Sequence, residues 1–125
     1  MSLIGTGIDI VEVERIKRLL EKQKQRFLDR VFTKAEVEYC MSKAQPAVHL
    51  AARFAAKEAI SKALGTGFTK GVRMRDIEVV TAEEGAPSIT LHGAAARRYD
   101  SLGGTRILLS LSHTQTFALA HADIC

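Results

Sequence analysis

The sequence predicts an α+β domain in which a largely antiparallel sheet packs around one long central helix. Helical and strand patterns are partly segregated along the chain, without a regular strand–helix–strand alternation. Short alternating segments joined by turn-forming residues are typical of hairpins. A chain of 125 residues can bury one hydrophobic core but not two, so we predict a single domain over residues 1–125.

The first predicted element is a strand from Leu3 to Val11, whose side chains alternate between two faces. One face carries Ile4, Thr6, Ile8 and Ile10, and the other carries Gly5, Gly7 and Asp9. Two glycines before an acidic residue indicate that something approaches this backbone closely. Spacing alone favours a structural interpretation of Asp9, as an acid that stabilises the start of the next helix.

Two short helices are predicted next. The first is amphipathic and carries Val13, Ile16, Leu19 and Leu20 on its apolar side. The second begins at the capping box Thr33-Lys34-Ala35-Glu36 and runs to about Ser42. Between Arg15 and Lys34 the chain carries eight basic residues and two acidic ones. Such an excess is typical either of a surface for an anionic partner or of a solvated helix face.

The long helix is predicted from about Ala47 to Gly65, because proline is tolerated at a helix start and glycine commonly follows a helix end. Small residues form one stripe along it, on which other elements can pack closely: Val48, Ala52, Ala55, Ala56, Ala59 and Ala63. Glu58 lies on another face and needs a cation. Lys62, four residues later, is one candidate, and a metal ion is another.

The second half of the chain predicts two hairpins and a helix. Strands are expected from Asp76 to Thr81 and from Ser88 to His92, with a turn at Glu84-Gly85-Ala86-Pro87. A helix from Gly93 to Leu102 precedes two further strands, Ile107 to Leu111 and Thr116 to Ala122.

The four histidines have different sequence contexts. His113 lies in the tight connection of the last hairpin among serines and threonines, where it can bind phosphate, transfer protons or simply help to form the turn. His49, His92 and His121 show no spacing that suggests a metal site, and we interpret them as structural.

Composition narrows the class of protein. No apolar run is long enough to cross a bilayer, and the first residues lack the pattern of a signal peptide. Cys40 and Cys125 are far apart and match no metal-ligand spacing. They are expected to be reduced thiols of a cytoplasmic protein.

Three segments, in this order, closely resemble the holo-acyl-carrier-protein synthases, the short class of phosphopantetheinyl transferases. They are residues 7–16, residues 53–65 and residues 110–114. Residues 76–79 and 85–87 also resemble connecting strands of that family. The resemblance covers nearly the whole chain. Its most specific parts are the strand with Asp9 and the helix with Lys57, Glu58 and Lys62.

The resemblance implies a Mg²⁺-dependent reaction that supports fatty acid biosynthesis. It moves 4′-phosphopantetheine from coenzyme A to a serine of apo-acyl carrier protein and releases adenosine 3′,5′-bisphosphate. Asp9 and Glu58 would bind the metal together with pyrophosphate oxygens, as suits Mg²⁺. Lys62 would contact the phosphates and assist the leaving group. Asp9, Glu58 and Lys62 are therefore the expected catalytic residues.

The resemblance also implies binding surfaces. The residues expected to contact coenzyme A are Arg53, Ser61, Lys62, Gly65, His113 and Thr114, with Arg53 at the 3′-phosphate. Arg15 and Arg26 would bind the acidic carrier protein. A single unit supplies only one wall of the site, so a homotrimer with sites between subunits is expected, without a nucleic-acid or membrane partner.

A non-enzymatic basic module that binds nucleic acid or an acidic protein is the alternative. It would use the basic residues between Arg15 and Lys34, with Asp9 and Glu58 as structural acids. The chain has only five Phe and two Tyr, and it carries no zinc-site or recognition-helix pattern. These observations disfavour the alternative.

Overall fold

The chain folds into five α-helices and two antiparallel sheets, in a computed structural model that describes residues 2–82 and 86–125. In chain order the elements are β1 (Gly5–Glu12), α1 (Val13–Gln23), α2 (Gln25–Val31), α3 (Lys34–Met41), α4 (Pro46–Ala63), a 3₁₀ turn (Met74–Asp76), β2 (Ile77–Val80), β3 (Ser88–Leu91), α5 (Gly93–Ser101), β4 (Ile107–His113) and β5 (Phe117–Ile124). The predicted α+β class is confirmed. Within the described ranges, no helix has the length and apolar character needed to span a membrane.

Pairing among the described strands is antiparallel, as predicted, but it is divided between two sheets. One sheet has the order β1-β5-β4, and the other consists of β2 and β3. Part of the predicted turn between β2 and β3, Glu84 and Gly85, lies outside the described residues.

The glycine face of β1 packs directly on the backbone of α4. A Cβ atom added to Gly7 would lie 1.9 Å from the carbonyl oxygen of Ala59, and one added to Gly5 would lie 2.0 Å from that of Ala63. Such distances are far inside van der Waals contact, so only glycine fits at either position. The predicted close approach to this backbone is therefore confirmed, and the approaching group is the long helix.

The two faces of the three-stranded sheet have opposite environments. Ala118, Ala120 and Ala122 of β5 point toward α4 and are fully buried. The apolar residues on the opposite face are exposed in the single chain: Ile8, Ile10, Leu108, Phe117 and Leu119. Large apolar side chains grouped on one exposed face are typical of a protein interaction surface.

A fully buried ion pair ties α4 to α3 and β2. Lys57 Nζ donates to Glu36 Oε1 at 2.7 Å, to the carbonyl of Ile77 at 2.6 Å and to that of Met74 at 3.0 Å. Glu36 Oε2 accepts from the Val79 amide at 3.1 Å. Burial lowers the pKa of Lys57, whereas the neighbouring Glu36 favours its charged form. A buried pair satisfied in this way is costly to break from one side, by about 3–5 kcal/mol.

The short helices agree only in part with the sequence prediction. The capping box is present, since Glu36 N donates to Thr33 Oγ1 at 3.3 Å and Thr33 N donates to Glu36 Oε1 at 2.9 Å. The sequence interpretation missed α2. Its buried residues, Phe27, Leu28 and Val31, do follow helical spacing. Lys24, with a φ of 49°, separates α2 from α1.

We predict that Gly7→Ala destabilises the protein by about 2–3 kcal/mol, because overpacking against a helix backbone forces the strand and helix apart. The measurement is urea unfolding at a fixed protein concentration, with Thr6→Ala as the matched control on the opposite face of β1. Equal stability of the Gly7→Ala variant and the wild type would show that α4 does not constrain this strand.

Candidate active site between the first strand and the long helix

Lys62 on α4 reaches across to β1. Its Nζ atom donates to Asp9 Oδ1 at 3.1 Å and to the carbonyl oxygen of Ile8 at 2.9 Å. Within the described residues, Lys62 forms its salt bridge with Asp9 and not with Glu58, although its charge still lowers the pKa of Glu58. Lys62 pairs instead with a carboxylate from a distant part of the sequence, because Asp9 follows Gly7 on the face that packs against α4.

Glu58 is half-buried beside this pair. Burial raises the pKa of Glu58, and the negative charge of Asp9 raises it further, while Lys62 and Arg15 act in the opposite direction. The carboxylates of Asp9 on β1 and Glu58 on α4 thus repel one another at a site that is partly shielded from solvent. A cation between them would relieve this repulsion.

The carboxylates suit a hard divalent cation that takes its other ligands from elsewhere. Mg²⁺ commonly uses one or two protein carboxylates, with waters and substrate phosphate oxygens completing its shell. Within residues 2–82 and 86–125, no group of three or more His, Cys, Asp or Glu side chains is arranged to hold a metal. The donor set therefore fits a metal bound together with a substrate rather than a metal held by protein alone.

Two other predicted site residues lie along the same end of α4. Ser61 is buried, and its hydroxyl donates to the carbonyl of Glu58 at 2.7 Å. Gly65 follows the end of the helix with a φ of 78°, a conformation that glycine adopts readily. Gly65 is exposed, so the backbone there is accessible to a ligand.

Arg53 lies apart from the carboxylates. It is buried, its Nη2 atom donates to Thr81 Oγ1 at 2.5 Å, and its guanidinium carbon lies 4.3 Å from the centroid of the Tyr39 ring. Nη1 also donates to the carbonyl of His49 at 3.4 Å. These contacts place Arg53 beside α3 and β2, so its predicted contact with a 3′-phosphate remains a prediction.

His113 ends β4 and faces a histidine that the sequence interpretation treated as structural. The ring centroids of His113 and His49 are 5.9 Å apart. Thr114 Oγ1 accepts from the amides of Thr116 at 3.1 Å and Phe117 at 3.0 Å, which shapes the connection to β5. No local spacing relates His49 to His113, since sheet and helix packing brings them together.

The basic surface formed by α1 and α2 reaches the carboxylates through Arg15. The guanidinium carbon of Arg15 lies 5.3 Å from the centroid of the Phe54 ring, and its charge lowers the pKa of Glu58. Arg26 is exposed on α2 and lines a groove with Gln23, Asp29 and Arg30. A partner bound at Arg15 would therefore lie near Glu58.

Comparisons with known proteins identify the family to which the chain is similar. Residues 5–120 match the model of the 4′-phosphopantetheinyl transferase superfamily. A holo-[acyl-carrier-protein] synthase of Koribacter versatilis is 50% identical over 118 residues, which cover 94% of each chain. The crystal structure of a holo-[acyl-carrier-protein] synthase from Neisseria meningitidis is 35% identical and superposes with a TM-score of 0.90 over 98% of each chain.

A second similar solved structure contains bound coenzyme A. The holo-[acyl-carrier-protein] synthase of Helicobacter pylori in complex with coenzyme A is 33% identical, with a TM-score of 0.84. The match covers 96% of this chain and 99% of that one.

Without substrate, two carboxylates should bind Mg²⁺ only weakly, and we predict that Lys62→Met tightens this weak binding up to about five-fold. The ammonium group would no longer compete for Asp9, and an exposed ion pair is worth up to about 1 kcal/mol. Isothermal titration with MgCl₂ measures the affinity. Lys17→Met, at an exposed position on α1, controls for the change in net charge. Unchanged or weaker Mg²⁺ binding by Lys62→Met would show that Lys62 does not compete with Mg²⁺ for Asp9.

Proposed function

The chain belongs to the 4′-phosphopantetheinyl transferase superfamily, and we infer its activity from that premise. It is an enzyme that transfers 4′-phosphopantetheine from coenzyme A to the acceptor serine of apo-acyl carrier protein. Its curated relatives are holo-[acyl-carrier-protein] synthases with about half of their residues identical to this chain. The structural observation that carries this inference is the convergence of Asp9, Glu58 and Lys62 beside a basic surface.

We propose that Asp9 and Glu58 bind Mg²⁺ together with the pyrophosphate of coenzyme A. The metal would neutralise charge on the pyrophosphate and on the departing adenosine 3′,5′-bisphosphate. The repulsion that raises the pKa of Glu58 supports this proposal, because two nearby carboxylates favour a shared cation.

Lys62 is proposed to supply a positive charge to the phosphates. Its side chain is 51% exposed, so the ammonium group can leave Asp9 for a phosphate oxygen by rotating its flexible stem. In-line phosphoryl transfer depends mainly on positioning and on stabilisation of charge. The nucleophile is the carrier's serine, so this chain requires no nucleophile of its own.

The carrier protein is proposed to bind the basic surface of α1 and α2 through Arg15 and Arg26. Arg15 contacts Phe54 and acts electrostatically on Glu58, which supports delivery of the carrier's serine to the carboxylates. The other basic residues of α1, Lys17, Arg18 and Lys22, would mainly raise the rate of association with an acidic partner.

We further propose that the enzyme is a homotrimer with sites between subunits. The exposed apolar face of the β1-β5-β4 sheet supports this proposal, because Ile8 and Ile10 are 57% and 62% exposed in the single chain. Burying such a face against copies of the same chain removes apolar surface from water.

The transfer reaction is tested by incubating the protein with coenzyme A, MgCl₂ and apo-acyl carrier protein. The mass of the carrier is then measured by mass spectrometry. We predict a gain of one phosphopantetheine per carrier. Asp9→Asn and Glu58→Gln should each lower kcat/KM by about 100-fold or more, because each removes a charge that stabilises the transition state. Glu38→Gln, at an exposed position on α3, is the matched control and should retain activity.

The same assay distinguishes an effect on carrier binding from an effect on coenzyme A binding. Arg15→Ala should raise KM for the carrier and leave KM for coenzyme A unchanged. No mass gain with the wild-type enzyme, together with tight and salt-sensitive nucleic-acid binding, would refute the transferase and support a basic binding module.

The proposed trimer is tested by sedimentation equilibrium, where the wild type should have three times the 13.7 kDa chain mass. Leu119→Asp should shift the population toward single chains, since it places a charge on the exposed face of β5. Val80→Asp, at an exposed apolar position on the other sheet, is the matched control. A wild type that sediments as a single chain would exclude the trimer.

A further inference from the structure

Arg98 of α5 lies against the C-terminal end of α4. Its Nε atom donates to the carbonyl oxygen of Leu64, the residue that follows α4, at 2.9 Å. A Cβ atom added to Gly65 would lie 3.4 Å from Arg98 Nη2, so the guanidinium group also borders the backbone of Gly65. These contacts join α5, to which the sequence interpretation gave no functional role, to the end of the helix that carries Glu58 and Lys62.

The carbonyl groups at the end of α4 find hydrogen-bond donors in two different ways. The carbonyl of Lys62 accepts from the backbone amide of Gly65 at 2.9 Å, within the turn that closes the helix. The carbonyl of Leu64 accepts instead from the side chain of Arg98, which belongs to another element. A basic side chain near a helix C-terminus interacts favourably with the last carbonyls and with the helix dipole.

Arg98 is held in place because α5 is itself anchored. Ala95 of α5 is fully buried, and the amide of His92, just before the helix, donates to the carbonyl of Asp76 at 2.7 Å. Arg98 is partly exposed, and none of the salt bridges in the part of the chain that the structure describes involves it. A guanidinium has five N–H donors, and the hydrogen bond to Leu64 uses one of them.

Without such a charge, the C-terminal end of α4 is unfavourable for an anion. The helix dipole places the equivalent of about half a negative charge at a C-terminus. Glu58 adds a carboxylate within the last two turns of the helix. Lys62 offsets part of this charge, but in the free protein it pairs with Asp9. Arg98 is bound by a neutral carbonyl, so its positive charge is available to a phosphate group.

We propose that Arg98 is a positioning residue for coenzyme A. It fixes the turn at Gly65 and offsets the negative end of α4, so that the phosphates of the coenzyme can lie against this turn. The proposal rests on the proposed function, since that function supplies the ligand. It adds α5 to the elements that form the site, beside β1 and α4.

Isothermal titration of coenzyme A in the presence of MgCl₂, at about 50 mM and about 500 mM NaCl, tests this role. At low salt, Arg98→Gln should bind coenzyme A about five- to ten-fold more weakly than the wild type, as expected for loss of a cation at a helix end. At high salt the difference should shrink to about two-fold or less, because salt screens charges that solvent can reach.

Further variants separate the charge of Arg98 from its packing. Arg98→Met keeps an aliphatic stem without the charge and should behave like Arg98→Gln. Arg98→Lys keeps the charge and should stay within about two-fold of the wild type. Arg97→Gln is the matched control, because Arg97 is the preceding residue of the same helix and is exposed. Its affinity for coenzyme A should equal that of the wild type.

Steady-state kinetics give a second readout. Arg98→Gln should raise KM for coenzyme A and leave kcat and KM for the carrier unchanged, because the substitution removes no group that contacts the carrier's serine. A loss confined to kcat would contradict a role in placing the coenzyme.

Three results would overturn the proposal. The first is equal affinity of the wild type and Arg98→Gln for coenzyme A at low salt. The second is a loss of affinity that is the same at both salt concentrations, since a purely structural role gives that result. The third is a failure of both Arg98→Gln and Arg98→Met to fold, seen by circular dichroism, which would make Arg98 a structural residue only.

These results are distinguishable from failure of the proposed function. Transfer of phosphopantetheine by the wild type is measured separately, from the mass of the carrier. Transfer by the wild type together with any of the three results would overturn the role of Arg98 alone. A wild type that neither binds coenzyme A nor modifies the carrier would refute the proposed function, and the role of Arg98 with it.

Discussion

The arrangement of the candidate site depends on the close contact between the backbone of β1 and the backbone of α4. Gly5 and Gly7 permit this contact, because a Cβ atom at either position would overlap a carbonyl oxygen of the helix. Asp9 follows on the same face of the strand and therefore lies against α4, where Lys62 reaches it. The same contact leaves the apolar face of β1 exposed in the single chain.

Neighbouring residues on α4 have different roles because they point to different surroundings. Lys57 is fully buried and holds α4 to α3 and β2 through Glu36. Glu58, the next residue, is only half-buried and lies beside Asp9, Lys62 and Arg15. Because α4 is anchored through Lys57, it can hold the Glu58 carboxylate close to the negatively charged Asp9. Such fixed charges suit a site that acts by electrostatic stabilisation.

Features determined by short stretches of sequence could be predicted, and features determined by tertiary packing could not. The capping box, the antiparallel pairing and the need for close approach at Gly7 follow from local geometry, and the structure confirms them. The pairing of Lys62 with Asp9 and the facing of His49 with His113 join distant parts of the chain. The members of each pair show no common spacing. Helical spacing alone suggested Glu58 as the partner of Lys62, and only the family resemblance placed Asp9 in the same site.

In the proposed site, β1 and α4 each provide one carboxylate to a single metal ion. Crystals grown with coenzyme A and MnCl₂ test it directly, because anomalous scattering locates Mn²⁺ independently of the protein coordinates. We expect one strong anomalous peak within coordination distance of the carboxylates of Asp9 and Glu58 and of a coenzyme A phosphate. A metal bound to coenzyme A without either carboxylate, or at another place on the chain, would contradict it.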